Sequence, residues 1–374
     1  MRIIFILRSV VLHGGIERVL IEKANWLADH GHKVLFLTYE QGTHPFSFQL
    51  SANALHKDLE CRYFTIYQKN LLERPFRRFL MRRMFWRKLK DTIDDFSPDI
   101  MVMPHNLDEY QDIIVSMNSL VPIVMEWHST STEFMDKTFR WKEFWRKRSY
   151  MSCVKKCSMT VCLTEGDSSF WKQYCRHVVT MSNPLSRYPE ETSEKIRKPG
   201  RIICVSRLQH VKRIDRLIDA FALISDRHPE WYVDIYGDGP EQGNLQKSIE
   251  RHGLIGRIYI HEPTNQIFEE YQSSQMLVMS SDSEGFGLVL VEAMACGIPV
   301  VATNCPFGPR EIIEEGITGL LSGMDTQDLA DKMEWMMTHD IERVEMGHNA
   351  YLAAARYEKN RVMAEWERTY LSVL

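Results

Sequence analysis

"SEGFGLVLVEAMACGIPVV", residues 283–301, is an apolar stretch with two glutamates set into it, Glu284 and Glu292. Its punctuation is that of a helix followed by a strand. The polar "SSDSE" (280–284) precedes it and 287–296 reads as a helix. Gly297 sits where a left-handed C-terminal cap is needed, and Pro299 opens the short β-branched strand "PVVAT". Glu284 then stands just before the helix and Glu292 within it. An ionised carboxylate in apolar surroundings is costly unless something pairs with it. The two glutamates are therefore either neutralised by the protein itself or met by a ligand.

Outward from this stretch, short apolar runs alternate with longer amphipathic segments along the whole chain. Strands are expected near 3–7, 34–38, 100–103, 121–125 and 159–163, then at "RIICVS", "WYVDIYG", "RIYIH", "QMLVMSS" and "PVVAT". Helices such as 17–29 and 214–225 lie between them. Repeated alternation of this kind builds parallel sheets covered by helices. A length of 374 residues exceeds one usual domain. The expected fold class is α/β, two Rossmann-like domains with parallel sheets facing across a cleft, divided as 1–185 and 186–374. The segment 182–200, rich in Pro, Ser and charge, reads as the hinge. The helical pattern over 356–374 is expected to pack back on the first domain.

The composition, 44% hydrophobic and 26% charged, is that of a globular protein rather than a disordered or fibrous one. The apolar run at the start, 3–7, stops at Arg8, too short for a signal-peptide core or a membrane span. Eight cysteines without a paired framework fit reduced thiols in the cytoplasm. Cys153, Cys157, Cys162, Cys175 and His177 match no zinc spacing.

The net charge of -4 conceals an asymmetry: residues 1–185 carry +6 and the remainder -10. The basic excess gathers in "KNLLERPFRRFLMRRMFWRKLK" (69–90), where nine basic residues and one acid are interleaved with Phe76, Phe79, Leu80, Phe85 and Trp86. Such a pattern suits a helix lying on an anionic membrane surface; a solvated helix with a core-facing aromatic stripe is the plainer reading. A second such stretch, "KTFRWKEFWRKR", occupies 137–148. No groove-reading motif accompanies the charge, so nucleic acid is not the expected partner.

Gly285 and Gly287 let backbone approach a ligand, and the amides of Phe286, Gly287 and Leu288 at the helix N-terminus form an anion site. A phosphate suits that end, while carboxylates accept from sugar hydroxyls. A nucleotide diphosphate sugar supplies both. The sequence has neither a G-x-x-x-x-G-K-[ST] loop nor the G-x-G-x-x-G of nicotinamide enzymes. It also has no Asp-x-Asp placed to hold a metal on a diphosphate, so no metal and no cofactor are expected.

The pair Glu284 and Glu292 inside "EGFGLVLVEAMACGIPVV" resembles the retaining glycosyltransferases of family 4, which have the GT-B architecture. The likeness runs through "HGGIERV" (13–19), "EWHST" (126–130), "VSRLQHVKRID" (205–215), "YGDGPE" (236–241) and "GPREII" (308–313). The resemblance implies that Glu284, His128, Arg207 and Lys212 are the catalytic set. Glu284 would lie at the donor sugar, His128 beside the transferred sugar, and Arg207 and Lys212 on the diphosphate. Glu292 would accept from the ribose, Gly14 and Gly15 would let the first loop close on the donor, Gly237 and His261 would also bind the donor, and its base would lie near the "HEPTN" loop that begins at His261. Each has a plainer rival: surface charges for Arg207 and Lys212, a satisfied core histidine for His128, a tight turn for Gly14 and Gly15, and an internal salt bridge for Glu292.

The expected activity is transfer of a hexosyl or N-acetylhexosaminyl group from a nucleotide diphosphate sugar, a UDP-sugar by the resemblance, to an acceptor hydroxyl. A lipid-linked glycan at the inner face of the membrane is the expected acceptor. A nucleotide-sugar hydrolase or epimerase of the same fold and a non-catalytic glycan-binding relative are the alternatives.

Overall fold

The computed structural model describes the chain except residues 12–13, 69–72, 106–109, 133–147, 149–150 and 191–196. Most of the basic stretch at 137–148 and the first four residues of the one at 69–90 thus lie outside the described residues. Two compact units are formed, Met1–Met181 with Met363–Leu374, and Ser182–Val362.

The first unit is built on a parallel sheet of seven strands: β1 Arg2–Leu7, β2 Lys33–Thr38, β3 Leu55–Asp58, β4 Ile100–Pro104, β5 Ile123–Trp127, β6 Met159–Cys162 and β7 Val178–Thr180. Their order is β3-β2-β1-β4-β5-β6-β7. The inner strands are buried along nearly their whole length, as a sheet covered on both faces requires. Helix α1, Gly15–Asp29, follows β1 and buries Val19, Leu20, Ala24 and Leu27 at the 3–4 residue spacing of one face. Helix α2, Arg74–Phe96, buries Phe85, Leu89 and Ile93 in the core. It leaves Phe76, Phe79, Leu80 and Trp86 exposed. Phe85 therefore belongs to the core rather than to the exposed aromatic face, because it lies on the Leu89–Ile93 side of the helix.

The second unit has six parallel strands: β8 Arg201–Val205, β9 Tyr232–Tyr236, β10 Ile258–His261, β11 Met276–Met279, β12 Val300–Thr303 and β13 Gly319–Ser322. Their order is β10-β9-β8-β11-β12-β13. Helix α3, Ile214–Ile224, and helix α4, Leu288–Ala295, follow β8 and β11. Gly287 caps α4 from the left-handed region at φ 95°, where a side chain would be strained. Cys296 ends the helix and Gly297, again at positive φ, turns the chain into β12.

The last helix, α5, Lys359–Leu371, joins the first unit from Met363 onward. There Trp366 and Tyr370 are fully buried, and the Tyr370 ring meets Phe5 of β1 edge-on at 6.4 Å. Three strands were not expected from the sequence: β3, β7 and β13. All eight cysteines are free thiols.

Candidate active site

In an open parallel sheet, ligands bind at the carboxyl ends of the strands, where the strand order reverses. In the second unit that point lies between β8 and β11. The loop after β8 carries Arg207 and Lys212, and the loop after β11 carries Glu284. These are residues that the sequence nominated separately, and the topology brings Lys212 and Glu284 together. Lys212 Nζ donates to Glu284 Oε1 at 2.7 Å, and Ser281 Oγ donates to the same oxygen at 2.6 Å. Both charged side chains are largely but not wholly buried. Glu284 is thus neutralised from within. Arg207 is exposed and has no ion-pair partner among the described residues.

A second set of residues, which sequence reasoning missed, stitches the two loops together. Arg216 of α3 donates to the Ser280 carbonyl at 2.8 Å and to Asp282 at 2.6 Å. Arg213, at φ 48°, bonds Asp215 and Asp282. Ser280 Oγ donates back to the Arg213 carbonyl at 2.8 Å, and Thr303 Oγ1 to the Ser281 carbonyl at 2.6 Å. The only advance signal was that acids and arginines recur in "KRIDR" and "SSDSE".

Gly237 lies after β9, and a Cβ there would overlap the Ser206 carbonyl oxygen. Its small size lets the "YGDG" loop pack on the loop that carries Arg207, where Leu208 N donates to the Asp238 carbonyl at 2.7 Å. The structure therefore gives Gly237 a supporting place under the cationic loop.

Glu292, on α4, is 2% exposed, and its Oε2 accepts from the Tyr271 hydroxyl at 3.1 Å. Phe286, Gly287 and Leu288 open α4, whose first amides have no intrahelical partner by helix geometry. His261 ends β10, donates from Nε2 to Asp234 Oδ1 at 2.8 Å, and stacks on Tyr236. Asp234 also accepts from the buried Arg201 at 2.6 Å.

In the first unit the strand order reverses between β1 and β4. Gly14 caps α1 in the loop after β1 and Gly15 is its first residue. His128 follows β5. Its Nε2 lies 3.0 Å from Glu126 Oε2, which also accepts from Lys23 Nζ of α1 at 2.8 Å. Tyr370 of α5 donates to the other carboxylate oxygen at 2.5 Å. Lys23 Nζ lies 3.1 Å from the centre of the Trp366 ring.

Burial is the largest influence on each of these groups. It lowers Lys23 to about 8 against the opposing pull of Glu126. It would raise Glu126, but the charge on Lys23 and the bonds from His128 and Lys23 bring that carboxyl down to about 2. Burial also lowers His128, with Glu126 opposing and Lys23 adding to the effect. His105, stacked on Trp127 at 3.7 Å, is pushed down to about 3 by burial and by His128. "EWHST" pointed to His128, whereas Lys23 and Tyr370 carried no local signal.

No group of three or more metal-ligating side chains is found among the described residues. No described helix is long and apolar enough to cross a membrane.

Comparison with known proteins matches the two halves to two family models: "Glycosyltransferase Family 4" over residues 13–184 and "Glycosyl transferases group 1" over residues 190–353. An uncharacterized glycosyltransferase of Haemophilus influenzae is 23% identical, covering 97% of this chain and 98% of its own. A Campylobacter jejuni α-1,4-N-acetyl-D-galactosaminyltransferase, named for a GalNAc-containing glycan on undecaprenol diphosphate, is 23% identical over 98% and 97% of the two chains. Among solved structures, TarM superposes with a TM-score of 0.80 at 15% identity, over 99% and 98% of the chains. Anabaena Alr3699/HepE in complex with UDP gives 0.78 at 20% identity over the full length of both. Both share the GT-B fold of two parallel-sheet units.

Proposed function

The chain belongs to the family 4 glycosyltransferases, and on that premise we propose that it transfers a hexosyl or N-acetylhexosaminyl group, with retention, from a UDP-sugar to a lipid-linked glycan in bacterial surface polysaccharide assembly. The observation that carries this reading is the Lys212–Glu284 pair at the switch point of the second sheet, in loops shared with Arg207 and the amide end of α4. A diphosphate leaving group gathers negative charge as its bond to the sugar breaks. Arg207, Lys212 and the first amides of α4 are the positive counterpart, and a well-placed donor of this kind contributes roughly 3–4 kcal/mol to the transition state. Because these groups are protein cations and dipoles, we propose that no divalent metal is needed. Transfer unaffected by a chelator is the expected result.

Retention fits a same-face displacement. The acceptor oxygen bonds to the anomeric carbon as the carbon–phosphate oxygen bond breaks, and the departing phosphate oxygen takes the acceptor's proton. A double displacement through Glu284 is the rival mechanism. The ammonium of Lys212 on Glu284 Oε1 makes that carboxylate a poorer nucleophile and favours the first route. We assign Glu284 to the donor sugar, His128 to hydroxyls of the transferred sugar, and Glu292, with Tyr271 beside it, to the ribose.

The UDP reading is supported by the UDP-bound relative, and the lipid-linked acceptor by the name of the Campylobacter relative and the exposed basic and aromatic face of α2. That face would hold the protein at the cytoplasmic surface of the membrane.

The test begins with a thermal-shift screen of the metal-free protein against UDP, GDP, ADP, CMP and their sugar conjugates. A ligand at a hundred times its dissociation constant stabilises by about 2.7 kcal/mol. A shift selective for UDP, followed by transfer whose product keeps the donor's anomeric configuration by NMR, is expected. No shift with any nucleotide, or an inverted product, would sink the reading.

A further inference from the structure

Glu126 lies inside the first sheet, on β5 between β4 and β6, and is fully buried. Three donors converge on it: Lys23 of α1, His128 just past the end of β5, and Tyr370 of α5. A buried ion pair adds little to stability compared with well-packed apolar residues of similar size. Its presence here calls for a task beyond folding.

We propose that Glu126 is a positioning residue for His128, and that Lys23 and Tyr370 hold its carboxylate so that one tautomer of the imidazole is fixed. The chemistry is that of an acceptor-only group. An ionised carboxylate cannot donate, so His128 Nε2, 3.0 Å away, carries the proton and donates. In the neutral ring Nδ1 is then an acceptor, the atom a sugar hydroxyl would meet, on a side chain that is 3% exposed. Neutrality is favoured by burial and by the nearby Lys23, which outweigh Glu126. The other titratable groups in the cluster are His105, stacked on Trp127 beside it, and the Tyr370 phenol, whose pKa is raised by burial and by Glu126. Both are neutral near pH 7, so among the described residues Lys23 and Glu126 set the charge around the ring.

Helix α5 contributes twice. Tyr370 anchors one carboxylate oxygen, and the face of the Trp366 ring lies against the Lys23 ammonium. A third contact ties the same helix to the unit through His32 Nε2 and Glu367 Oε1 at 2.7 Å. The last helix thereby helps determine which nitrogen of His128 is free to accept.

The sugar-facing part of this inference rests on the assignment of His128 to the transferred sugar. The tautomer does not, and it can be read in the free protein. Long-range ¹⁵N–¹H spectra of protein labelled in histidine should show His128 protonated at Nε2 alone at pH 7. Glu126→Gln gives the ring an amide that can donate, and the Nδ1-protonated form should appear. The transfer rate should fall on the order of ten- to a hundredfold, with UDP affinity unchanged.

Tyr370→Phe keeps the packing and should show a mixed population and a smaller loss of rate. That loss should vanish in a His128→Ala background, which a purely structural role of the phenol would not predict. An Nδ1-protonated or cationic ring in the wild type would overturn the proposal. So would Glu126→Gln and Tyr370→Phe proteins that keep the wild-type spectrum. If the tautomer is as described but His128→Ala transfers at the full rate, the positioning stands and the sugar assignment falls.

Discussion

Lys212 and Glu284, 72 residues apart in sequence, meet at 2.7 Å, so that two of the three charged side chains nominated for the switch point form one neutral pair. Removing the lysine alone would leave the carboxylate uncompensated at the place proposed for the diphosphate. Lys212→Ala should therefore weaken UDP binding more than Arg207→Ala, by roughly 1.4–2.8 kcal/mol or about ten- to a hundredfold in Kd. The double variant Lys212→Ala/Glu284→Gln should regain much of that affinity without regaining transfer. Isothermal titration with UDP, alongside a transfer assay, separates the two.

Glu284→Gln keeps the size and most hydrogen bonding of the side chain but loses its charge. Transfer should fall by about 10²–10³ while UDP binding holds, the pattern of a group needed in the transition state. Full activity in this variant would remove Glu284 from the mechanism.

At Gly237 a methyl group would run into the Ser206 carbonyl, which is backbone and cannot swing away. Gly237→Ala should cost about 2–3 kcal/mol by urea unfolding. It should weaken UDP binding as well, since the displaced loop carries Arg207. A stable protein with unaltered UDP affinity would show that the loop can yield there at little cost.

The Lys23–Glu126 pair is fully buried on both sides. Lys23→Met should destabilise by about 3–5 kcal/mol, because it strands a carboxylate, and adding Glu126→Gln should restore a large part. The acid limb carries a separate signature. The folded value of Glu126, about 2, lies below its ordinary 4.5. Between those values the unfolded chain binds more protons than the native one, so the stabilisation is present above pH 4.5 and is lost as the pH falls toward 2. The gap between wild type and Glu126→Gln in urea unfolding should narrow across that window and stay constant between pH 5 and 7.

Helix α2 turns Phe76, Phe79 and Trp86 outward among arginines. The protein should co-sediment with vesicles containing anionic lipid at low salt and release as salt screens the charge. Phe79→Ser/Trp86→Ser should reduce recovery several-fold, each aromatic supplying about 2 kcal/mol of apolar burial. Equal recovery on neutral and anionic vesicles would argue for a solvated helix instead.

The buried strands were legible because each is a run of apolar residues bounded by turns: "IIFIL" in β1 and "MLVM" in β11 admit little else. The edge strand β3, "LHKD", has no apolar alternation and is largely exposed; β7 has three residues, and β13 opens on a glycine. Such elements are set by their neighbours rather than by their own composition. The site followed the same division. Glu284, Arg207 and Lys212 stand in local motifs at strand ends, where pattern and resemblance reach them. Arg216 and Asp282, 66 residues apart, act through pairing that no local window contains. Tyr370 and Glu126, separated by 244 residues, are a still more distant case.

That long separation bears on how the chain is made. Glu126 and Lys23 leave the ribosome early, yet the phenol and indole that complete their surroundings arrive only after the whole second unit has been synthesised. Until then the first sheet holds a charged pair with one flank open to water, and Phe5 of β1 has the Phe36 ring but not that of Tyr370. Order of synthesis thus places the capping of the first unit by α5 after the second unit has been made. A nascent chain arrested before Met363 should be cleaved by protease in its first unit far faster than the released protein.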